Sequence, residues 1–172
     1  MTIRPVTEGD FSEIIRINTE AEQFLNSQAS LTVSELRRLS AIATYFKVAC
    51  LDDAVAGFLI AVRSDIAHDD PNFRWFSARY PEFLYIDRII IDARARGRGV
   101  GRAMYTDLFA AARELGTARL TCEIDCDPPN HASSIFHAHF GVSEAGRHAV
   151  DGGKKTVSLQ LASIRARAQA LQ

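Results

Sequence analysis

Residues 92 to 103 read Asp92-Ala93-Arg94-Ala95-Arg96-Gly97-Arg98-Gly99-Val100-Gly101-Arg102-Ala103. This segment follows a β-branched and aromatic run over Leu84–Ile91, which predicts a strand, and precedes a helical stripe that begins at Val100. Glycines let the main chain approach a ligand closely, and the first turn of a helix presents N–H groups that have no intrahelical partner. The segment therefore predicts a loop that binds a phosphate or pyrophosphate group, and its arginines strengthen the positive field around it.

Three other interpretations of this loop compete with an anion site. It can be a surface loop that only needs turns. A Walker loop is disfavoured because no Gly-Lys-Ser/Thr follows. A dinucleotide loop matches in part, because Gly99 and Gly101 fit the first two glycines of G-x-G-x-x-G and Glu123 ends the next strand. Met104 stands where the third glycine belongs, and the pattern contains no second βαβ half.

Outward from the loop, hydrophobic periodicity predicts the element order β-α-α-β-β-β-α-β-α-β-β. The connection from Leu84–Ile91 through the following helix to Ala118–Ile124 should be a right-handed crossover, which makes these two strands parallel. Val55–Val62 is apolar on both faces, which favours a central strand. We expect an α/β fold with a mixed sheet, as one domain over residues 1–172 with a tail from 162 onward. The supporting signals are the capping patterns Thr7/Asp10 and Thr32/Glu35, the helix-ending glycines Gly116 and Gly141, and the hairpin turns Asp52-Asp53 and Asp151-Gly152-Gly153.

The composition excludes several classes of protein. The chain has 172 residues, a formal net charge of −1 and 47% hydrophobic residues, values that argue against disorder and against a protein built to coat nucleic acid. The longest apolar run, Ala54–Val62, is far shorter than the roughly 20 residues of a membrane-spanning helix. The first residues show no signal-peptide pattern. Cys50, Cys122 and Cys126 are odd in number, so we expect free thiols and a cytoplasmic location.

Two segments resemble the GNAT superfamily of acyl-CoA-dependent N-acetyltransferases. Arg96-Gly97-Arg98-Gly99-Val100-Gly101 is similar to the R/Q-x-x-G-x-G/A loop of that superfamily. The residues from Asn130 to Val142, NHASSIFHAHFGV, resemble its N-x-x-S-x-x-F-Y/H-x-x-x-G-F helix. The predicted element order matches the same fold along almost the whole chain. Three further segments resemble a bacterial subgroup of predicted acetyltransferases: Asn72-Phe73-Arg74-Trp75-Phe76, Tyr85-Ile86-Asp87-Arg88 and Asp127-Pro128-Pro129-Asn130.

The resemblance implies acetyl-CoA as cosubstrate. Main-chain N–H groups over Arg96–Arg102 would hold the CoA pyrophosphate. The main chain of Ile89–Ile91 would pair with pantetheine like an extra strand, and one N–H there would polarise the thioester carbonyl. Asn130 and Ser133 would contact pantetheine or cap the last helix. The implied cofactor-binding residues are Ile89, Ile90, Ile91, Arg96, Gly97, Arg98, Gly99, Val100, Gly101, Arg102, Asn130 and Ser133.

Three residues are candidates for acid and base chemistry. His137 stands where the resembling family often has a tyrosine, and it is either a proton donor for the leaving thiolate or a partly exposed helix histidine. Asp87 and Glu123 place charge in otherwise apolar strands, and either carboxylate can accept the proton of an amine. Asp87 can instead be one half of an ion pair. We do not expect that partner to be Arg88, because adjacent strand residues point to opposite faces.

The segment 64–81 predicts a long loop with four large aromatic residues. Its Phe73-Arg74-Trp75-Phe76 stretch is either a substrate lid or a satellite apolar cluster. We expect the substrate-binding residues to be Arg74, Trp75, Phe76 and Tyr85.

A zinc site is a weak alternative for the cysteines and histidines near the C-terminal half. Cys122 and Cys126 with His131 and His139 match no standard ligand spacing, and Cys122 is expected to point into the core. No metal is expected.

The sequence therefore predicts an N-acetyltransferase that moves an acetyl group from acetyl-CoA to a primary amine by direct transfer. The alternatives are a CoA-binding regulatory module without turnover and a nucleic-acid-binding Arg/Gly loop. The expected partner is a small-molecule or peptide amine, with no nucleic acid and no membrane. The edge strands of the C-terminal hairpin are compatible with a homodimer.

Overall fold

The computed structural model of the chain describes residues 1–22, 30–126 and 129–164. Local capping explains where its first two helices begin. Asp10 Oδ2 accepts hydrogen bonds from the Thr7 N–H and hydroxyl at 2.8 and 2.9 Å, ahead of the first helix. Glu35 Oε2 accepts from the Thr32 N–H at 2.8 Å, and Thr32 Oγ1 accepts from the Glu35 N–H at 3.2 Å. Both predicted capping patterns are confirmed. The α-helices are α1 (Phe11–Glu22), α2 (Val33–Ile42), α3 (Pro71–Ser77), α4 (Val100–Glu114) and α5 (His131–His139).

The strands form one mixed sheet in the order β1-β2-β3-β4-β5-β7-β6. β4 and β5 are parallel, with Leu84 beside Leu120 and Tyr85 beside Thr121, while β5–β7 and β6–β7 are antiparallel. β3 lies between β2 and β4 and is buried from Val55 to Val62, as its two-sided apolar pattern predicts. The predicted α/β class and parallel pair are confirmed. The strands are β1 (Thr2–Pro5), β2 (Tyr45–Leu51), β3 (Ala54–Arg63), β4 (Leu84–Ile91), β5 (Arg119–Asp125), β6 (Ser143–Val150) and β7 (Lys155–Ser163).

Two tight turns close the hairpins where the sequence predicts them. Asp52 and Asp53 adopt φ angles of 50° and 64° between β2 and β3. Gly152 and Gly153 adopt φ angles of 66° and 88° between β6 and β7. Positive φ favours glycine and tolerates aspartate, so these residue types select the turn.

Residues 1–62 and 86–109 form one compact unit. Its core joins the apolar faces of α1 and α2 to those of β2 and β3, and Ile90 of β4 completes it. Ile14, Leu36, Phe58 and Ile60 are fully buried in this cluster. Burial of an aliphatic or aromatic side chain of this size stabilises a fold by roughly 1.5–3 kcal/mol.

The second unit comprises residues 63–85 and the chain from Ala110 onward. Its core contains an aromatic cluster in which the Phe73 ring lies 5.4 Å from Phe83 and 5.5 Å from Tyr85. Phe76 is fully buried beside the same rings. The apolar side chains of β5 and β7 add Leu120, Ile124, Val157 and Leu159.

Segment 64–81 differs from its predicted structure, because it contains helix α3 rather than an irregular loop. Asp70 caps this helix by accepting hydrogen bonds from the Asn72 and Phe73 N–H groups at 2.8 Å each, and Pro71 occupies its first turn. Seven residues are too few to show helical periodicity, which explains the missed element. The expected tail begins later than residue 162, because β7 continues to Ser163. Residues 165–172 of that tail and Asp127-Pro128 lie outside the described part of the chain.

Candidate active site

The entry to the glycine-rich loop is organised around a buried carboxylate. Asp92 directly follows β4 and is only 3% exposed. Its side chain accepts from the Arg94 N–H at 2.9 Å and from the guanidinium groups of Arg94 and of Arg16, which lies on α1. The hydrogen bonds from Arg94 and then Arg16 hold the pKa of Asp92 below its ordinary value, although burial acts in the opposite direction. Asp92 therefore stays ionised at neutral pH and anchors the start of the loop, a role that the sequence did not indicate.

The loop itself leaves its main chain accessible. Gly97 and Gly99 adopt φ angles of 74° and 78°, and a Cβ atom built on either would meet nothing within 4 Å. The first intrahelical hydrogen bond of α4 in this stretch runs from the Ala103 N–H to the Gly99 carbonyl at 3.0 Å. The N–H groups of the first helical turn precede that bond and have no intrahelical partner. The loop thus combines open backbone with a positive helix end, as an anion site requires.

Four arginines surround this loop, and all are exposed. Arg98 makes a long ion pair with Asp52 at 3.7 Å, and both side chains face solvent. Exposed guanidinium groups can reorient toward a phosphate at low cost. The four are Arg94, Arg96, Arg98 and Arg102. The residues present therefore fit the pyrophosphate and phosphate groups of CoA.

The end of β4 is packed closely against β3. A Cβ atom on Gly57 would lie 2.8 Å from Ile91 Cδ1 and 2.9 Å from the Ile90 carbonyl oxygen. Ile90 is buried, whereas Ile89 and Ile91 are half-buried. Gly57 is thus needed for the close approach to Ile89–Ile91, which the sequence analysis did not single out.

The structure corrects one expectation about Asp87. Arg88 Nε donates to Asp87 Oδ2 at 3.0 Å, and the two side chains are 10% and 11% exposed. The prediction that these neighbours do not pair is wrong, because the long arginine side chain can fold back along the strand. Arg88 also donates to Asn18 Oδ1 on α1 at 2.8 Å. Asp87 therefore lies in a nearly buried ion pair.

Glu123 lies in a different setting on β5. Its Oε2 atom accepts a hydrogen bond from the Tyr85 hydroxyl at 2.7 Å, and the same hydroxyl lies 3.0 Å from Asp70 Oδ1. Tyr85 is 1% exposed, so it acts from within the core rather than as part of an open pocket wall. The structure brings together two predicted site residues, Tyr85 and Glu123, and adds Asp70, which the sequence analysis did not identify.

The predicted lid is divided between core and surface. Phe76 is fully buried in the aromatic cluster and is therefore a core residue, which favours the satellite-cluster interpretation. Trp75 is half-buried, with its ring under the Arg79 guanidinium at 3.9 Å and against Gly146 of β6, where a Cβ atom would lie 2.7 Å from the ring. Arg74 is exposed and pairs with Asp69 at 2.7 Å.

Helix α5 carries the remaining predicted residues. Asn130 Oδ1 accepts from the Ser133 N–H at 3.0 Å, so Asn130 caps the helix, as one of its two expected roles. His137 is 4% exposed, and its Nδ1 lies 3.5 Å from Cys122 Sγ. Burial lowers the pKa of His137 to about 4, so its imidazole is neutral at neutral pH. This histidine is neither exposed nor charged.

Within the described ranges, no group of three or more His, Cys, Asp or Glu side chains is arranged to hold a metal ion. Over those same ranges, no helix has the length and hydrophobicity to cross a membrane. All three cysteines are free thiols, as predicted.

Comparison with protein families supplies the remaining observation. The model of the acetyltransferase (GNAT) family matches residues 11–142. The chain belongs to this family. The match includes β4, the glycine-rich loop and the whole of α5, the regions that carry the resemblance in the sequence.

Solved structures with the GNAT fold superpose on almost the whole chain. Ard1 from Thermoplasma volcanium is 18% identical with a TM-score of 0.76, covering 95% of this chain and 97% of its own. The ribosomal-protein-S18-alanine N-acetyltransferase from Escherichia coli is 16% identical with a TM-score of 0.72, covering 99% and 98%. The Salmonella typhimurium protein yncA, solved with its cofactor acetyl-CoA, is 18% identical with a TM-score of 0.71, covering 97% and 95%. Comparison with curated proteins gave no match.

Proposed function

We propose that this GNAT protein transfers an acetyl group from acetyl-CoA to a primary amine by direct attack, with Glu123 accepting the proton of the amine. The observation that carries the proposal is the β4–loop–α4 segment, in which open glycine backbone meets a helix start. Family membership supports acetyl transfer in general. The identity of the acceptor and the residue roles belong to the proposal.

Acetyl-CoA, when bound, supplies the thioester that an amine attacks. Main-chain N–H groups within Arg96–Arg102 would bind its pyrophosphate, with those of Arg96 and Arg98 also donating to the Ala93 and Ala95 carbonyls at 3.4 Å each. The exposed Arg96, Arg98 and Arg102 would neutralise its phosphates. The main chain of Ile89–Ile91 would align pantetheine by strand pairing and orient the carbonyl. Ser133 and the cap residue Asn130 would position the start of α5 near pantetheine.

Glu123 is the better candidate base of the two predicted carboxylates. Its Oε2 atom accepts from the neutral Tyr85 hydroxyl, whereas Asp87 is paired with the guanidinium of Arg88. A carboxylate paired with a cation is a weaker proton acceptor. Donation by a charged His137 is not part of the proposal, because burial keeps its imidazole neutral.

Three further expectations concern the acceptor, the location and the oligomeric state. The acceptor would be a small-molecule or peptide amine, held in part by Arg74 and Trp75. We expect the protein to act in the cytoplasm, because its thiols are free. A homodimer stays a prediction from the C-terminal hairpin.

The test is release of free thiol from acetyl-CoA during incubation with a panel of amino acids, polyamines, peptides and protein N-termini. The proposal expects amine-dependent thiol release and a product heavier by one acetyl group. Tight acetyl-CoA binding without amine-dependent release across the panel would instead support a regulatory module. Binding to nucleic acid that survives physiological salt would support the third alternative.

A further inference from the structure

One side chain connects helix α1 to the start of the glycine-rich loop. Arg16 Nη2 donates to Asp92 Oδ2 at 2.5 Å, although Arg16 lies 76 residues earlier in the chain. Both residues belong to the first compact unit. Of the two arginines that bind this buried carboxylate, Arg16 is less exposed than Arg94. A buried charge is costly unless it is paired, so Arg16 is a main reason why a carboxylate can lie at this point.

Asp92 passes this connection on to the main chain that follows it. The Asp92 N–H donates to the Ala56 carbonyl on β3 at 2.9 Å. Its Oδ1 accepts from the Arg94 N–H, and its carbonyl accepts from the Ala95 N–H, at 2.9 Å each. These two bonds close the short 3₁₀ turn over 93–95. One oxygen of the carboxylate thus caps the turn while the other binds Arg16.

The turn in turn sets where the glycine-rich loop begins. Ala95 is buried at the end of the turn. The Arg96 N–H donates to the Ala93 carbonyl and the Arg98 N–H donates to the Ala95 carbonyl, at 3.4 Å each. Both distances exceed the usual range of about 2.7–3.2 Å, so these bonds hold the loop only weakly. The path of the loop therefore depends on the turn before it.

We propose that Arg16 is a positioning residue for the glycine-rich loop: from α1 it holds the Asp92 carboxylate, and Asp92 holds the turn that aims the N–H groups of the loop at pyrophosphate. This inference rests on the proposed role of the loop in binding acetyl-CoA. Arg16 then contributes to cosubstrate binding through Asp92 and not by contact with acetyl-CoA.

Two variants distinguish positioning from a simple effect of charge. Arg16→Gln removes a cation, whereas Asp92→Asn removes an anion and keeps a side chain that caps a turn well. If the two side chains acted through their charges alone, Arg16→Gln would weaken the binding of anionic acetyl-CoA and Asp92→Asn would strengthen it. Positioning predicts that both variants weaken binding, because either change breaks the same connection.

The experiment is calorimetry of acetyl-CoA with the full chain, comparing Arg16→Gln, Asp92→Asn and the double variant. Each single variant should lose about tenfold in affinity, and the double variant should lose no more than Asp92→Asn alone, because residues that act through one contact are not additive. Opposite effects of the two single variants, no loss in either, or losses that add in the double variant would overturn the inference.

Arg4→Gln is the matched control for a general loss of stability. Arg4 also donates to a buried carboxylate, that of Asp10, at 2.7 and 2.8 Å, and it lies in the same compact unit. Thermal unfolding measures the stability lost in each variant. Arg4→Gln should bind acetyl-CoA as the wild type does. A comparable loss of affinity in Arg4→Gln would show that destabilisation explains the effect, and would overturn the inference.

Amide hydrogen exchange without acetyl-CoA separates this inference from the proposed function. The Ala95 and Arg96 amides should exchange faster in Arg16→Gln and Asp92→Asn than in the wild type and in Arg4→Gln. Unchanged exchange would overturn the positioning role whether or not the protein binds acetyl-CoA. Faster exchange in a protein that does not bind acetyl-CoA would support the positioning role and defeat the proposed function.

Acetyl transfer adds a kinetic measurement. With an accepted amine, Arg16→Gln should raise the KM for acetyl-CoA while kcat stays close to that of the wild type, because the variant affects binding rather than chemistry. A fall in kcat at constant KM would overturn the inference.

Discussion

Asp92 and Glu123 both accept side-chain hydrogen bonds, and the Tyr85 hydroxyl on Glu123 is neutral where the two guanidinium groups on Asp92 are charged. Asp92 accepts from the guanidinium groups of Arg16 and Arg94. Glu123 accepts from the neutral hydroxyl of Tyr85, which also contacts a second carboxylate. A carboxylate between two cations stays ionised and serves as an anchor. The comparison favours Asp92 for holding the loop and leaves Glu123 as the carboxylate that the proposed function uses as base.

The largest expected effect comes from removing the proton acceptor in the second network. Glu123→Gln keeps the shape and should lower kcat/KM by roughly 10²-fold, because general bases typically contribute that much or more. Steady-state thiol release with an accepted amine measures it. Glu114→Gln, the same change at an exposed position of α4, serves as the control. An unchanged rate across the pH range would assign proton removal to water or to Asp87.

His137 is a third titratable group, and its burial favours the neutral form. Its pKa is lowered to about 4 in the fold, below the ordinary value of 6.5, so the unfolded chain binds the proton more tightly. Its contribution to stability is present above pH 6.5 and is lost as the pH falls toward 4. At pH 5 the loss should be about 2 kcal/mol.

Urea unfolding between pH 7 and pH 5 measures this loss. His137→Gln cannot titrate, so the free energy of unfolding should fall less steeply with pH than in the wild type. Parallel curves for the two proteins would show that His137 is accessible to protons in the fold.

The glycine-rich loop should bind acetyl-CoA more weakly when a bulky or charged side chain is placed on its accessible main chain. Gly99→Glu places a negative side chain at a φ of 78°, where pyrophosphate is expected, and should weaken acetyl-CoA binding at least tenfold, about 1.4 kcal/mol. Calorimetry measures the affinity. Gly99→Gln has the same backbone strain without the charge, so a smaller loss in that variant isolates the electrostatic part. Equal affinity in folded Gly99→Glu would remove the loop from CoA binding.

The smallest expected effect is the difference in stability between removing Arg94 and removing Arg16, the two arginines that bind Asp92. The Arg94 side chain is 71% exposed and that of Arg16 is 28% exposed. Arg94→Gln should change the free energy of unfolding by only about 0–1 kcal/mol, because water screens the exposed Arg94 guanidinium and Arg16 still pairs with the buried Asp92. Arg16→Gln should cost more, because the remaining partner is solvent-screened. Thermal unfolding of both variants tests this order, and a larger loss in Arg94→Gln would contradict it.

Local chemistry explains which parts of the fold could be predicted. Capping residues, positive-φ turns and the glycine loop act over three to six neighbouring residues, so their spacing alone identifies them. Helix α3 was missed because its stability comes from the Asp70 cap and from Phe73 and Phe76 packing on distant strands. A seven-residue helix has no periodic signal of its own.

In the candidate site, too, local features could be predicted from the sequence, whereas features that depend on tertiary packing could not. Glu123 and Tyr85 were both singled out from the sequence, but their hydrogen bond depends on the parallel register of β4 and β5. The ion pair of Asp87 with Arg88 was judged wrongly, because strand alternation describes Cβ directions and not the reach of a long guanidinium side chain. The burial of His137 likewise follows from tertiary packing rather than from its helix.

The account holds that binding and proton transfer are carried by separate networks, and calorimetry of acetyl-CoA with Glu123→Gln tests this most directly. The predicted result is an affinity equal to that of the wild type in a variant whose turnover has fallen roughly 10²-fold. An equal loss of affinity and turnover would contradict the account, because Glu123 would then contribute to binding the cosubstrate rather than to chemistry.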